Sequence, residues 1–266
     1  MNPYTCYRTR RPLTIDGRLD EAPWQKAPRS RRFVDMLNGE PAHFDTRAAA
    51  LWDERYLYVG FWIEEPFVTA TLTERDQPIF VDNDVEVFID AGDAYYEFEI
   101  NALGTVYEVL FIWQDAFARF DQTHFDVHSR RASTFGGNFD RDGLAFWRGA
   151  HPRGLRWAFT DWDLPGLQTA VQVDGRLNER ASVDRGWTVE LAFPWAGMSA
   201  WALNRNLPPL AGDIWRMFFG RFEHLAISGQ TIHPAWSWDP IGSPDTHTPE
   251  RFTPIMFSDD DVEERP

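Results

Sequence analysis

Residues 84–113 read DVEVFIDAGDAYYEFEINALGTVYEVLFIW and contain three segments in which apolar and polar residues alternate. Each segment is rich in β-branched or aromatic residues, and this alternation predicts half-buried β-strands. Only AGDA and LG join the segments. Because joins this short connect antiparallel neighbours, the stretch predicts an antiparallel meander.

Similar patterns recur along the rest of the chain. They predict strands at residues 48–53, 56–64, 84–90, 95–102, 105–113, 170–174, 186–193, 214–223 and 254–257. Short helical turns are expected at 21–25, with Asp20 as N-cap, and at 195–199. The sequence therefore predicts an all-β fold, an antiparallel two-sheet β-sandwich of jelly-roll type.

Long loops are expected between Gln114 and Leu167, with one strand at 154–159. Long ordered loops on a rigid scaffold commonly carry binding residues. We expect residues 1–258 to form a single domain, followed by an acidic flexible tail at 259–266.

Composition narrows the function. The 266 residues carry 41 acidic and 26 basic side chains, which gives a net charge of −15. An acidic chain is a poor partner for nucleic acid or for an anionic membrane surface, so a neutral polar ligand or a cation suits it better. The amino-terminal segment shows no apolar signal region, and no apolar run in the chain is long enough to cross a membrane. The chain as given is therefore expected to be cytoplasmic, and an extracytoplasmic location stays open if a signal segment has been removed.

Several motifs together resemble the family 9 carbohydrate-binding module and its longer, stand-alone relatives. They are IDGRLDEAPWQKA at 15–27, AAALWDERYLYVGFWIEEP at 48–66, FVDNDVEVFIDAGDAYYEFEINALGTVYE at 80–108, RGWTVELAFPW at 185–195, and WSWDP and HTPERFTPIMFS within 236–258. The resemblance covers most of the chain in the right order. It implies a β-sandwich that binds a carbohydrate.

The alternation also predicts a cluster of carboxylates. If the apolar faces of the meander point into the core, Glu86, Glu97 and Glu99, and also Glu108, gather on one exposed face of the sheet. Clustered carboxylates repel one another, so such a face needs Arg partners, a cation or hydroxyl donors. A sugar supplies hydroxyl donors together with an apolar face that stacks on flat rings.

The resemblance assigns ligand roles to particular residues. It implies that Phe80 forms one aromatic wall of a sugar slot and that Glu86 accepts hydrogen bonds from sugar hydroxyls. Family members carry Trp at the first position, and they carry Arg where this chain has Glu99. The second Trp wall of the family falls near residues 245–247, where this chain has no Trp.

Other residues could complete the slot. The candidates for a replacement wall are Trp236, Trp238 and His247, and Asn101 and Arg75 are candidates for hydrogen bonds to the sugar. Packing of Trp236 in the core and ion pairing of Glu86 with Arg remain equally open.

A metal is the next candidate. Asp82, Asp84, Asp90 and Asp93 offer the hard oxygen ligands that Ca²⁺ prefers, and the resemblance implies structural calcium. Aspartates at strand ends also cap turns, and that alternative stays open. No motif for a nucleotide cofactor is present.

Two other functions remain possible. A carbohydrate-active enzyme of glycoside hydrolase or lyase type would use Glu86, Glu97, Glu99 and His247, because paired carboxylates can act as acid and base. A haem-binding domain would need axial ligands such as His124 or His128. The leading hypothesis is a carbohydrate-binding protein without catalysis.

Overall fold

The computed structural model describes residues 2–136, 151–227 and 229–265, and in this part of the chain β-strands dominate. The strands are β1 Tyr4–Arg8, β2 Val34–Asp35, β3 Thr46–Trp52, β4 Tyr56–Glu64, β5 Asp84–Asp90, β6 Ala94–Asn101, β7 Val106–Trp113, β8 Ala132–Phe135, β9 Arg156–Phe159, β10 Gln168–Asp174, β11 Gly186–Pro194, β12 Ile214–Phe222, β13 Leu225–Ile227, β14 Gln230–Ile232, β15 Ala235–Ser237 and β16 Thr253–Asp261. Two short helices are α1 Ala22–Lys26 and α2 Trp195–Met198. The predicted all-β class is confirmed.

The strands form one large, mostly antiparallel ladder among the described residues. Its order is β10-β11-β4-β3-β1-β16-β12-β5-β6-β7-β9-β8, and β15 joins the edge of β12 beyond β16. Only the pairings of β1 with β16 and with β3 are parallel in this ladder. The predicted meander is β5, β6 and β7, in antiparallel register throughout.

The core lies where distant parts of the ladder meet face to face. Phe193 of β11 contacts Phe98 of β6 with ring centroids 5.3 Å apart, and Phe61 of β4 approaches Phe219 of β12 at 6.3 Å. These strands are not ladder neighbours, so the sheet must bend to bring them together. The same face of the meander carries the apolar residues that the alternation assigns to the core, and all of them are buried.

Glu190 joins two of the sequence motifs. Its buried carboxylate accepts hydrogen bonds from Trp24 Nε1 at 2.7 Å and from the backbone N–H groups of Asp16 and Gly17 at 3.0 and 3.1 Å. Gly17 has a φ of +83°, and a Cβ there would lie 2.9 Å from the backbone of Val171. The IDG turn and the Trp that follows it are therefore anchored on β11 by one carboxylate.

We expect Glu190→Gln to lower the free energy of unfolding by about 2–3 kcal/mol, because the amide turns an NH₂ group toward donors and loses charge-assisted bonds. Urea unfolding followed by Trp fluorescence measures the change. Exposed Glu179 is the matched control, and Glu179→Gln should change stability by less than about 0.5 kcal/mol. Equal effects of the two substitutions would contradict this anchoring role.

Two local predictions differ from the structure. The first helix follows Glu21 rather than Asp20 and has no side-chain N-cap, because Pro23 lies in its first turn and leaves fewer N–H groups to satisfy. Short strands β1, β2, β8 and β13–β15 are missing from the prediction, since segments this short carry little alternation.

The acidic segment predicted to be a flexible tail packs against the fold up to Arg265, which donates to Lys26 O. Residues 259–261 end β16, and a 3-10 turn, Val262–Glu264, follows. Val262 is fully buried beside Trp24 and Ala27, and this apolar contact holds the segment against α1. No helix among the described residues is long and apolar enough to cross a membrane.

Candidate functional site

A cavity of about 550 Å³ lies over the polar face of β5 and β6. Its volume is within the range of small-molecule sites. The titratable residues that line it are Asp35, Glu86, Glu97, Glu99, Glu223, His224, His233 and His247. Among the described residues that line the cavity there is no Lys or Arg, so its ionisable groups are carboxyls and imidazoles.

The predicted carboxylate face exists, but it is buried rather than exposed. Glu86, Glu97 and Glu99 retain only 3%, 5% and 1% of their exposure. Segments 233–235 and 244–247, together with the Ile79–Val81 turn, line the same cavity and cover this face. Segments 233–235 and 244–247 are distant in sequence from the meander, so strand alternation alone could not predict their contribution.

Glu108 lies on the opposite face, which corrects the prediction that it joins this cluster. It pairs with Phe98 across β6 and β7 and accepts a 2.5 Å hydrogen bond from Tyr96 Oη inside the core. It also accepts a bond from the Leu164 N–H at 2.8 Å and is ion-paired with Arg75. Three partners compensate for its position on an apolar face.

Burial sets the protonation of the cavity carboxyls. It raises the pKa of Glu86 and Glu99 well above the ordinary value, and neighbouring carboxylates raise both further. Burial likewise raises the pKa of Glu97 to about 8, although a hydrogen bond shared with Glu99 opposes the shift. The group therefore holds protons at neutral pH unless a positive charge or a donor compensates it.

His247 forms part of the cavity wall beside these acids. Its Nδ1 lies 3.2 Å from Tyr95 Oη, and its Nε2 lies 3.9 Å from Glu97 Oε1. Burial, together with the positive charge of Arg156, lowers the pKa of His247 well below its ordinary value. The imidazole is therefore neutral at neutral pH.

The aromatic walls are Phe80, as predicted by the resemblance, and Phe222, which the sequence did not single out. The Phe80 ring packs edge-on against Tyr107 at 5.9 Å. Phe222 pairs with Asp84 across β12 and β5, which brings its ring to the cavity side. Only the register of β12 against β5 could have identified it.

The Trp residues predicted as replacement walls lie elsewhere. Trp236 is buried, with the Arg221 guanidinium 5.2 Å from its ring centroid and Phe44 edge-on at 6.3 Å. Trp238 packs between Tyr4 and Phe219 at 4.7 and 4.8 Å. Both positions are core positions, where ring burial outweighs exposure to a ligand.

Arg75 and Asn101 also lie outside this cavity. Arg75 pairs with Glu108 and Asp163 on the other side of the meander. The Asn101 amide donates to Leu72 O and to Asp82, and its oxygen accepts from the N–H groups of Leu103 and Thr105. The hydrogen bonds and ion pairs of both side chains hold loops in place, and neither side chain lines the cavity.

The four aspartates predicted as metal ligands do not form one group. Asp82 accepts bonds from the N–H groups of Thr71 and Leu72 at one end of β5. Asp90 and Asp93 lie at the other end, where Asp90 accepts from the Gly92 N–H.

Asp93 is held by Arg119, Arg153 and Asn204 at 2.6–2.9 Å. Of the four aspartates, only Asp84 lies near other acids, namely Glu86 and Glu99. Capping and ion pairing account for the other three.

The histidines considered as haem ligands are on the surface. His124 and His128 lie in exposed turns between β7 and β8. His124 contacts Phe125 and Trp162 edge-on at 4.7 and 5.6 Å. Nothing in this placement favours axial ligation of a haem, which needs an enclosed apolar pocket.

The raised pKa values predict a pH dependence of stability in the presence of EDTA. Asp84, Glu86, Glu97 and Glu99 keep protons in the folded chain at pH values where the unfolded chain has lost them. The folded state therefore binds more protons, and the free energy of unfolding must fall as pH rises. Below about pH 6.5 the lowered pKa of His247 acts in the opposite direction.

We therefore expect stability to fall between pH 6.5 and pH 8 by about 1.4 kcal/mol per pH unit for each carboxyl that remains protonated. Urea unfolding at both pH values measures this. A stability that is flat or rising over that window would show that the acids are already ionised in the folded chain.

Part of the chain matches a known protein family. Residues 15–134 match the carbohydrate family 9 binding domain-like family. For that segment, the match confirms the resemblance inferred from the motifs. The segment contains Phe80 and the carboxylates of β5 and β6. No curated protein matches the chain.

Solved structures share the fold. A candidate carbohydrate-binding protein from Bacteroides uniformis superposes with a TM-score of 0.59 at 15% identity, over 97% of this chain and 100% of the other. A family 9 carbohydrate-binding module from Caldicellulosiruptor kristjanssonii in complex with glucose superposes at 0.51 with 13% identity, over 98% and 100%. Identities this low establish the common fold and no more.

Proposed function

We propose that this chain binds a small saccharide, or the end of a longer one, in the cavity over β5 and β6. The observation that carries the proposal is the joining of two aromatic walls, Phe80 and Phe222, with the buried acids Glu86, Glu97 and Glu99 in one small cavity. Carboxyl groups accept bonds from hydroxyls, and rings stack on the apolar face of a sugar. The sugar ligands of the family 9 relatives support the same class of ligand.

Protonation matters to the mode of binding. A protonated carboxyl both donates and accepts, whereas an ionised one only accepts. Because burial raises the pKa of Glu97 to about 8, this group can donate to a sugar oxygen at neutral pH. Glu86 and Glu97 thus offer both kinds of hydrogen bond that a sugar hydroxyl can make.

The charge of the cavity restricts the ligand further. With only acidic and imidazole groups among the described titratable residues that line it, the site suits an uncharged or amino sugar. A uronic acid or sugar phosphate would bring an anion into a cavity whose described lining offers no Lys or Arg to compensate it. We expect glucuronic acid to bind at least about tenfold more weakly than glucose, a difference of about 1.4 kcal/mol. Competition calorimetry measures the ratio, and equal affinities would contradict the proposed cavity.

Titration calorimetry against neutral mono- and disaccharides tests the proposal itself. We expect saturable heat at one site per chain with at least one sugar, and a loss of that heat in Phe80→Ala. Exposed Phe67 is the matched control, because its ring lies outside this cavity. No heat with any sugar, with or without added divalent cations, would rule the proposal out.

A glycoside-cleaving activity is the second candidate, and the raised pKa of Glu97 favours it. A general acid must hold its proton near the working pH, and burial supplies that condition here. Product analysis after incubation with the best-binding glycoside decides between binding and turnover. Products formed by the wild type and not by Glu97→Gln would establish the activity, and intact glycoside would exclude it for that substrate.

We also propose that the bent ladder forms a two-sheet, jelly-roll-like sandwich in one domain, which extends past the expected boundary at residue 258 to the Val262–Glu264 turn. The contacts of β11 with β6 and of β4 with β12 support it, because strands on opposing sheets meet through side chains alone. Limited proteolysis should leave this domain as one fragment.

A further inference from the structure

Asp84, Glu86 and Glu99 form a group of three acids beside the cavity. Asp84 and Glu86 point to the same face of β5, and Glu99 pairs with Glu86 across β6. One oxygen of each lies within 4.8 Å of the others, and all three side chains are buried. Calcium–oxygen distances are about 2.3–2.6 Å, so two ligands on opposite sides of one ion lie about 5 Å apart. The three oxygens therefore fit around a single ion.

Four of the six carboxyl oxygens of this trio lack hydrogen-bond partners in the described part of the chain. Both oxygens of Asp84 and one each of Glu86 and Glu99 are buried and accept no hydrogen bond of normal geometry from the described residues. The Phe222 backbone comes close enough to Asp84 to oppose the rise in its pKa, but burial dominates. Unpartnered buried carboxyl oxygens are costly, so their retention indicates a ligand.

Other buried acids in the described part of the chain have donors or a positive side chain that this trio lacks. Elsewhere the fold compensates buried acids: Glu223 with Arg221 at 2.5 Å, and Glu190 with three N–H donors. No Arg or Lys among the described residues lies within ion-pair distance of Asp84, Glu86 or Glu99. A single positive charge would leave two of three negative charges uncompensated, whereas a divalent ion leaves one.

We propose that Asp84, Glu86 and Glu99 bind a hard divalent cation, with Ca²⁺ as the reference ion. The ligand set contains only oxygen, which hard cations prefer over nitrogen or sulfur. Three carboxylates do not complete the coordination sphere of such an ion. Since Glu86 and Glu99 line the cavity, water or a sugar hydroxyl can occupy the remaining positions. The site shares only Asp84 with the aspartates suggested by the sequence. Cation binding does not depend on the proposed saccharide binding.

Calorimetry and thermal unfolding of the full chain, dialysed against EDTA and then against metal-free buffer, test the site. Titration with CaCl₂, MgCl₂ and MnCl₂ should show one saturable site for at least one cation. At a hundredfold excess over Kd, the Tm should rise by about 5 °C or more. No saturable binding of any of the three cations to the wild-type chain would overturn the proposal.

Two variants locate the ion. Asp84→Asn and Glu99→Gln should each weaken cation binding at least thirtyfold, because each removes a charged ligand. Glu40→Gln is the matched control, since this exposed carboxylate lies outside the cavity. It should change cation affinity less than threefold. Unchanged binding in Asp84→Asn and Glu99→Gln would place the ion elsewhere and overturn the assignment.

A sugar titration of the cation-loaded and cation-free chain separates this inference from the proposed function. Cation binding without any sugar binding supports the metal site and removes the saccharide proposal. Sugar binding with no cation binding does the reverse.

Discussion

Glu86→Gln is expected to weaken saccharide binding by about thirtyfold and, in EDTA at pH 8, to raise the free energy of unfolding. The binding loss follows because the amide presents an NH₂ group where the carboxyl has an oxygen, and a bound sugar hydroxyl left without its acceptor costs about 2 kcal/mol. The stability gain follows because burial and the neighbouring charges of Asp84 and Glu97 oppose ionisation of Glu86. An amide of the same shape never ionises, and we expect a gain of about 1–2 kcal/mol.

Calorimetry measures the first effect and urea unfolding the second. Glu40 is exposed, and Glu40→Gln serves as the control that should leave both quantities unchanged. The opposite signs are the informative feature, because a purely structural Glu86 would lose stability on substitution. A stability loss together with unchanged binding would contradict a ligand role for this residue.

Arg221→Met is expected to lower the free energy of unfolding by about 3–5 kcal/mol, the largest stability change anticipated for this chain. The guanidinium is fully buried and donates to Glu223 at 2.5 Å, to Thr46 Oγ1 at 2.8 Å and to Glu64 O at 2.9 Å. Its removal leaves Glu223 and Glu65 close together without a compensating charge.

The same substitution has a distinctive pH dependence. Burial raises the pKa of Glu223 to about 7 even beside Arg221, so the carboxyl takes up a proton readily when the pH falls. The loss in Arg221→Met should therefore be smaller at pH 5 than at pH 8, and a second change, Glu223→Leu, should recover part of it. Arg216→Met on the same strand is exposed and should cost less than about 1 kcal/mol. A loss of similar size in both single variants would show that burial of the guanidinium is not the cause.

Much of the ladder follows from the sequence. Strands β4 and β5 have the predicted bounds, and the meander register puts Glu86 opposite Glu99. These features depend on alternation and short joins, which are local properties. Alternation also predicts that Glu86, Glu97 and Glu99 share one face of the meander, and the structure places all three along one cavity.

The surroundings of the site could not be predicted in this way. Part of the cover over Glu86 and Glu99 comes from segments more than a hundred residues further along the chain, and β-strand periodicity contains no information about them. Glu108 is wrongly assigned to the polar face by the alternation. It lies on the apolar face, where Tyr96 and Arg75 are its partners, and the sequence pattern does not show that these residues lie beside it.

A crystal structure of the chain with the tightest-binding saccharide tests the central claim most directly. The account predicts a sugar ring in contact with Phe80 or Phe222, with a hydroxyl within hydrogen-bond distance of Glu86. A saccharide bound instead in the surface groove lined by Arg29, Trp62 and Thr188, with no sugar in the cavity over β5 and β6, would contradict it.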